Sequence, residues 1–167
     1  EKLYFDVLAY YEKTEGRNSL RYAMTSTSLA DLYQRMRLFA RASDLYEDAM
    51  PVLKKELGEQ SPTYIDASRT LANIYLLQGN YAPAEAPYLK AKAFYQSALG
   101  TKSERYLGVL ADLGLLYTYS GQWSKAATIY HEKVALQLEQ VRNLFPLLSE
   151  KEKTDFYALT RSQFNTY

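Results

Sequence analysis

The chain has 167 residues, 47% of them hydrophobic and 23% charged, with twenty basic residues against nineteen acidic ones. This is the balance of one soluble globular unit with a sizeable core, and no Lys/Arg block is long enough to neutralise a run of phosphates, so nucleic acid is disfavoured as a partner. No apolar run approaches the ~18 residues of a membrane-spanning helix, and the absence of Cys removes disulfides, thiolate metal ligands and a cysteine nucleophile.

Residues 1–18 read as a lone second helix of a repeating unit, because its columns recur downstream at a fixed distance of 42. The same spacing relates Tyr22, Tyr64 and Tyr106; Leu29, Leu71 and Leu113; Tyr33, Tyr75 and Tyr117; and Ala42, Ala84 and Ala126. Tyr4, Tyr46, Tyr88 and Tyr130 form a longer series, and Gly16, Gly58 and Gly100 mark one point in successive units. Three units follow, about 19–60, 61–102 and 103–142. In the middle one, Ser61-Pro62 predicts a helix start, since a serine hydroxyl can accept from an orphan N–H and proline loses nothing at the first helical position. A helix is expected over about Pro62–Leu77, a reversal at Gly79, and a second helix over about Ala82–Ala98 closed by Leu99-Gly100. Pro83 suits the start of that second helix better than Pro87 does. Two irregularities stand out: Arg37 occupies the column of Gly79 and Gly121, and Arg142 stands where a fourth Gly would fall, which predicts that the final repeat helix continues. From Asn143 to Tyr167 the columns are lost. Ser149 and Glu152 form a capping box there, ahead of a stripe of Phe156, Tyr157, Thr160 and Phe164 that predicts a capping helix.

Leu-Ala-x-x-Tyr at Leu29 and Leu71, Leu-Gly-x-x-Tyr at Leu113 and Ala-x-x-x-Tyr from Ala42, Ala84 and Ala126 resemble the tetratricopeptide repeat (TPR). The usual period is ~34, so the resemblance is to the long form of kinesin light chains and many bacterial arrays. It implies an all-α, right-handed superhelical solenoid of helical hairpins ended by a C-terminal capping helix. The segment "LSEKEK" followed by Phe156-Tyr157 is similar to the junction that precedes a CHAT domain, a caspase-like peptidase module, in bacterial repeat proteins. A His–Cys dyad of that module would lie beyond Tyr167. The chain opens without Met and in mid-repeat, so a longer parent is expected; the first residues lack a signal-peptide layout, and a cytoplasmic location is expected.

Catalysis within these residues is not expected. His131 is the sole histidine, so neither a metal cluster nor a nucleophile–base pair can be assembled, and no cofactor or metal is expected. Asp44, Glu47 and Asp48 read as a solvated face, and Gly79 and Gly121 as hairpin turns rather than a phosphate cradle.

The resemblance implies a concave surface lined by the first helix of each pair. Its columns are Met24, Thr27, Ser28, Asp31 and Arg35; then Asp66, Arg69, Thr70, Asn73 and Leu77; then Gly108, Ala111, Asp112, Leu115 and Tyr119. From these the binding candidates are Asp31, Arg35, Asp66, Arg69, Thr70, Asn73, Asp112, Leu115 and Tyr119. In the family, an Asn in the Asn73 column often hydrogen-bonds a peptide backbone; Asp31 and Leu115 replace it in the other units, which argues against a carboxylate clamp. The expected partner is a protein or peptide segment, or the parent's own downstream domain, with no membrane or nucleic acid. Self-association as a structural spacer is the rival reading.

Overall fold

The computed structural model describes residues 1–154, Leu144 by its backbone alone, so most of the expected capping helix lies outside the described residues. Among the described residues there is no strand, and seven α-helices precede a further helical stretch that begins at residue 150: α1 (Lys2–Thr14), α2 (Leu20–Arg35), α3 (Phe39–Leu57), α4 (Pro62–Leu77), α5 (Glu85–Leu99), α6 (Glu104–Tyr119) and α7 (Trp123–Leu144). Each packs chiefly on its neighbours in the chain, as a solenoid requires. Pairs α2–α3, α4–α5 and α6–α7 are the three complete hairpins, and α1 is the unpaired second helix.

The starts of α2, α4 and α6 are built identically. Ser19, Ser61 and Ser103 accept at Oγ from the backbone N–H of Tyr22, Tyr64 and Tyr106 at 3.2–3.3 Å. Each serine follows a glycine by three residues, and Gly16, Gly58 and Gly100 all have φ of 80–85°. The hairpin turns also repeat. The N–H of Leu38, Asn80 and Gln122 bonds back to the carbonyl of Tyr33, Tyr75 and Tyr117 at 2.9, 2.9 and 2.7 Å, which forces the intervening residue into the left-handed region. Gly79 and Gly121 adopt it at φ 77° and 73°; in the first unit Arg37 adopts it at 61°. The turn therefore tolerates the Gly→Arg departure at the cost of a Cβ in that conformation, and the Arg37 guanidinium lies 5.9 Å from the Phe39 ring centroid.

Helix α4 matches the expected bounds, whereas its partner does not begin where expected. A 3-10 turn spans Ala82–Ala84 and the α-helix starts at Glu85. The two prolines explain the delay. With the start at Glu85, Pro87 falls among the first residues, whose N–H groups have no intrahelical acceptor anyway. Pro51 is different, because it sits well inside α3; it is exposed, and its column holds Ala9, Ala93 and Ala135 elsewhere. At the far end α7 runs through Arg142 to Leu144, then a 3-10 turn covers Phe145–Leu147. The Ser149–Glu152 capping box is formed, with Ser149 N–H donating to Glu152 at 2.8 Å and Glu152 N–H to Ser149 at 3.4 Å, and residues 150–154 are helical.

The core is two clusters that meet at α4. Ile65 and Ala72 join the residues of α5 and α6, while Ala67, Leu71 and Ile74 join those of α2 and α3. Gly114 lies against Tyr130; in the same columns Ala30 and Tyr46 belong to one cluster, and Ala72 and Tyr88 to the other. Tyr46 and Tyr88 are fully buried, and a buried phenol needs a partner for its hydroxyl. That requirement determines what the first-helix face offers.

Candidate functional site

Helices α2, α4 and α6 supply the candidate face, and most of its polar groups are engaged within the chain. Tyr46 Oη donates to Asp31 Oδ1 and Tyr88 Oη to Asn73 Oδ1, both at 2.6 Å. Burial and the acidic partner push the Tyr46 phenol well above its ordinary value; burial does the same to Tyr88, with the nearby Asp112 charge adding to it. Asp31 and Asn73 are thus acceptors for the hairpin's own tyrosine. In the third unit Leu115 cannot accept, and Tyr130 makes no side-chain hydrogen bond among the described residues. Its ring instead lies over Gly114, where an added Cβ would stand 2.6 Å from Cε1 and Cζ.

Two more candidates pair across units. Arg69 Nε on α4 donates to Asp112 Oδ2 on α6 at 2.7 Å, with the side chains 24% and 17% exposed. Gly108 makes room for that guanidinium, since a Cβ there would meet Arg69 Nη2 at 3.0 Å. Burial raises the Asp112 carboxyl above its ordinary value; Arg69 opposes the shift without cancelling it. Asp66 accepts from Tyr95 and, at 2.6 Å, from Arg105, and Thr70 Oγ1 donates to the Asp66 carbonyl at 3.0 Å. Glu47, expected as a solvated residue, accepts from Tyr75 at 2.9 Å and helps push that phenol up to about 12, after burial.

Among the described residues, what remains unpaired on this face is largely apolar, together with the cation of Arg35. Met24, Leu77, Leu115 and Tyr119 are 46%, 55%, 40% and 61% exposed. Arg35 is exposed and makes no ion pair among the described residues. The face expected from the repeat columns did not include α1, yet Leu3, Tyr4 and Val7 line a cleft of about 450 Å³ with Met24, Thr25 and Ser28. The signal was available: Val7 shares its column with the small Ala49 and Ala91, which are buried in complete hairpins. Among the described residues no three His, Cys, Asp or Glu side chains converge to hold a metal ion, and no helix is long and apolar enough to cross a membrane. His131 is exposed on α7.

The sequence profile of the tetratricopeptide repeat matches residues 21–97 and again 67–137. Among solved structures, BtubC (BKLC) from P. vanneervenii is similar with a TM-score of 0.72 and 23% identity, over 83% of this chain and 54% of that one. The putative kinesin light chain of Podosopora anserina, with nearly identical TPR-like repeats, is similar at 0.68 and 22% identity, over 84% of this chain and 67% of that one. A substituted form of the same protein gives 0.69 and 21%, over 84% and 66%. The chain thus spans between half and two thirds of the length of these relatives, and at such identities the likeness shows the fold. No curated protein sequence matches the chain.

Proposed function

Since the chain belongs to the tetratricopeptide repeat family, whose repeats generally mediate protein–protein interaction, we propose that its first-helix face binds a protein or peptide segment. The observation that carries this reading is the division of labour on that face. Asp31, Asp66, Arg69, Asn73 and Asp112 hold the solenoid together, while Met24, Leu77, Leu115, Tyr119 and Arg35 are left to a ligand. Exposed aliphatic and aromatic groups along one groove suit an amphipathic helix or extended segment that inserts apolar side chains, with Arg35 favouring an acidic residue at one end. The backbone clamp that an Asn ladder would provide is not part of the proposal, because Asn73 Oδ1 is occupied by Tyr88.

Selection of peptides from a random display library against the 167-residue chain tests this. The expected result is a family of sequences with spaced apolar anchors and an acidic residue, bound one-to-one. Selected peptides that ignore Leu77→Glu and Tyr119→Glu would place binding elsewhere and sink the proposal.

The finer reading is that the arm regulates a CHAT peptidase domain in a longer parent. It is supported by the sequence after Ser149 and by the capping box formed there. A parent sequence that continues beyond Tyr167 as further repeats would end it. Self-association has its own support, because the terminal helices carry exposed apolar groups: Leu3, Phe5 and Tyr10 on α1, Val134 and Leu138 on α7. Light scattering across a hundredfold concentration range separates the two, since a scaffold stays at monomer mass and a self-associating spacer does not.

A further inference from the structure

Between α1 and α2 a set of side chains is less covered than its column mates. Leu3 is 78% exposed, whereas Leu45, Pro87 and Ile129 in its column are half-buried or buried; Val7 is 39% exposed, whereas Ala49 and Ala91 are buried. On α2, Thr25 and Leu32 are half-buried, while Ala67 and Val109 in the column of Thr25, and Ile74 and Leu116 in that of Leu32, are buried. Tyr4 is half-buried and its hydroxyl makes no hydrogen bond among the described residues, while Tyr46 and Tyr88 in its column are fully covered.

The complete hairpins show what covers these columns. Tyr46 donates to Asp31 on the first helix of its own hairpin and lies beside Thr70 on the next first helix. Tyr88 donates to Asn73 on its own first helix and lies near Asp112 on the next. Thr70 and Asp112 share the column of Ser28, and Ser28 lines the clefts between α1 and α2 together with Tyr4. The pair α1–α2 therefore repeats the arrangement of α3–α4 and α5–α6, with the place that α2 or α4 fills there left open. The two clefts, of about 450 and 230 Å³, share Tyr4 and Ser28 and make one groove from Met24 to Arg35. That is about 16 Å, or three turns, along α2. The groove is apolar at Leu3, Val7 and Met24 and polar at Asp31 and Arg35.

We propose that this groove receives an amphipathic helix from outside the 167 residues, one that carries Leu-Ala followed by Asp or Asn. Its chemistry is that of the helices seated in the equivalent places. Leu29-Ala30 and Leu71-Ala72 are buried, and the Asp31 or Asn73 that follows takes the tyrosine hydroxyl at 2.6 Å. In the incoming helix the Asp or Asn accepts from Tyr4 Oη, the Ala occupies a column where a larger side chain has no room, and apolar neighbours cover Leu3, Val7 and Leu32. This chain's own two copies of the motif are buried within their hairpins, so a second copy does not supply it. The groove shares Met24 and Arg35 with the surface proposed above but uses neither Leu77 nor Tyr119, so the two readings stand or fall separately.

Amide NMR of the 167-residue chain, titrated with a synthetic peptide of residues 61–80, tests it, because α4 fills the equivalent place beside α5. Saturable shifts are expected at Val7, Thr25 and Leu32, with a Kd on the order of 100 μM. A peptide carrying Ala72→Leu should bind at least about tenfold more weakly. Tyr4→Phe in the chain should weaken the unsubstituted peptide about fivefold and leave the Asn73→Leu peptide unaffected, since that pair has no bond to lose. Val7→Glu, at an exposed position, should abolish the response in a folded protein. Absent saturation, equal affinity for the Ala72→Leu peptide, or shifts confined to Leu77 and Tyr119 would each overturn the proposal. So would shifts at Val7 that track the concentration of the chain alone, which place a second copy in the groove.

Discussion

At the scale of single residues, the tyrosine hydroxyls set the polar architecture. Tyr88 is wholly buried, and its hydroxyl has one acceptor, Asn73 Oδ1. Tyr88→Phe removes the donor and leaves the carboxamide of Asn73 without it, so a loss of about 1 kcal/mol is expected, read as a fall of about 2–4 °C in Tm for a chain of this size. An unchanged Tm would mean that this bond contributes nothing net. A surface carboxylate, Glu59, makes one contribution to acid sensitivity, reduced by solvent screening. Glu59 accepts from Lys54 and Lys90, and those two lysines hold its carboxyl down at about 2 against 4.5 for an unperturbed glutamate. A depressed carboxylate contributes stability that is fully present above the unfolded value and lost as pH falls through the folded one. The window is therefore from about 4.5 down to about 2. Carboxyl NMR should show Glu59 titrating below the ordinary glutamate value of 4.5 at low ionic strength, with a midpoint that climbs as salt screens the pair. A midpoint near 4.5 in dilute buffer would contradict the bridge.

At the scale of elements, departures from the repeat come in compensated sets. Gly114 and Leu115 replace the Ala–Asp and Ala–Asn pairs of the earlier units, and Tyr130 responds by lying over the missing Cβ. Gly114→Ala alone should overpack that contact at a cost of about 1–3 kcal/mol. Adding Leu115→Asn gives Tyr130 the acceptor that Tyr88 has, so the double variant should be more stable than the sum of the singles. Additive effects would show that the two columns are independent. Pro51 has no such compensation: inside α3 it forgoes a helical hydrogen bond. Pro51→Ala, the residue of its column in every other unit, should stabilise the chain by about 1–3 kcal/mol, measured by denaturant unfolding. Element positions were readable from spacing because serine caps, left-handed glycines and hairpin tyrosines are local devices repeated at 42. The bounds of α4 followed from Ser61-Pro62 and Gly79. Those of α5 did not, because two prolines four residues apart are compatible with several starts until the packing of Ala84 and Tyr88 selects one.

At the scale of the whole molecule, the first-helix face carries two unlike sets of side chains. Side chains that look like ligand contacts in the sequence, Asp31, Arg69, Asn73 and Asp112, are spent on joining helices. Sequence columns show which residues share a face but not which of them reach each other: Arg69 and Asp112 are 43 apart, and only the placement of one hairpin against the next brings their side chains to 2.7 Å. The apolar candidates were more legible, since Leu115 departs from the polar Asp31 and Asn73 of its column, and Tyr119 shares an apolar character with Leu77 in a column that only Arg35 makes polar. The measurement that tests this division most directly compares binding and stability in the same variants. For a display-selected peptide, Leu77→Glu and Tyr119→Glu should weaken binding at least about tenfold, 1.4 kcal/mol, with Tm unmoved, whereas Asn73→Ala should lower Tm and change affinity little. Affinity abolished by Asn73→Ala at unchanged Tm, with Leu77→Glu and Tyr119→Glu silent, would contradict the account.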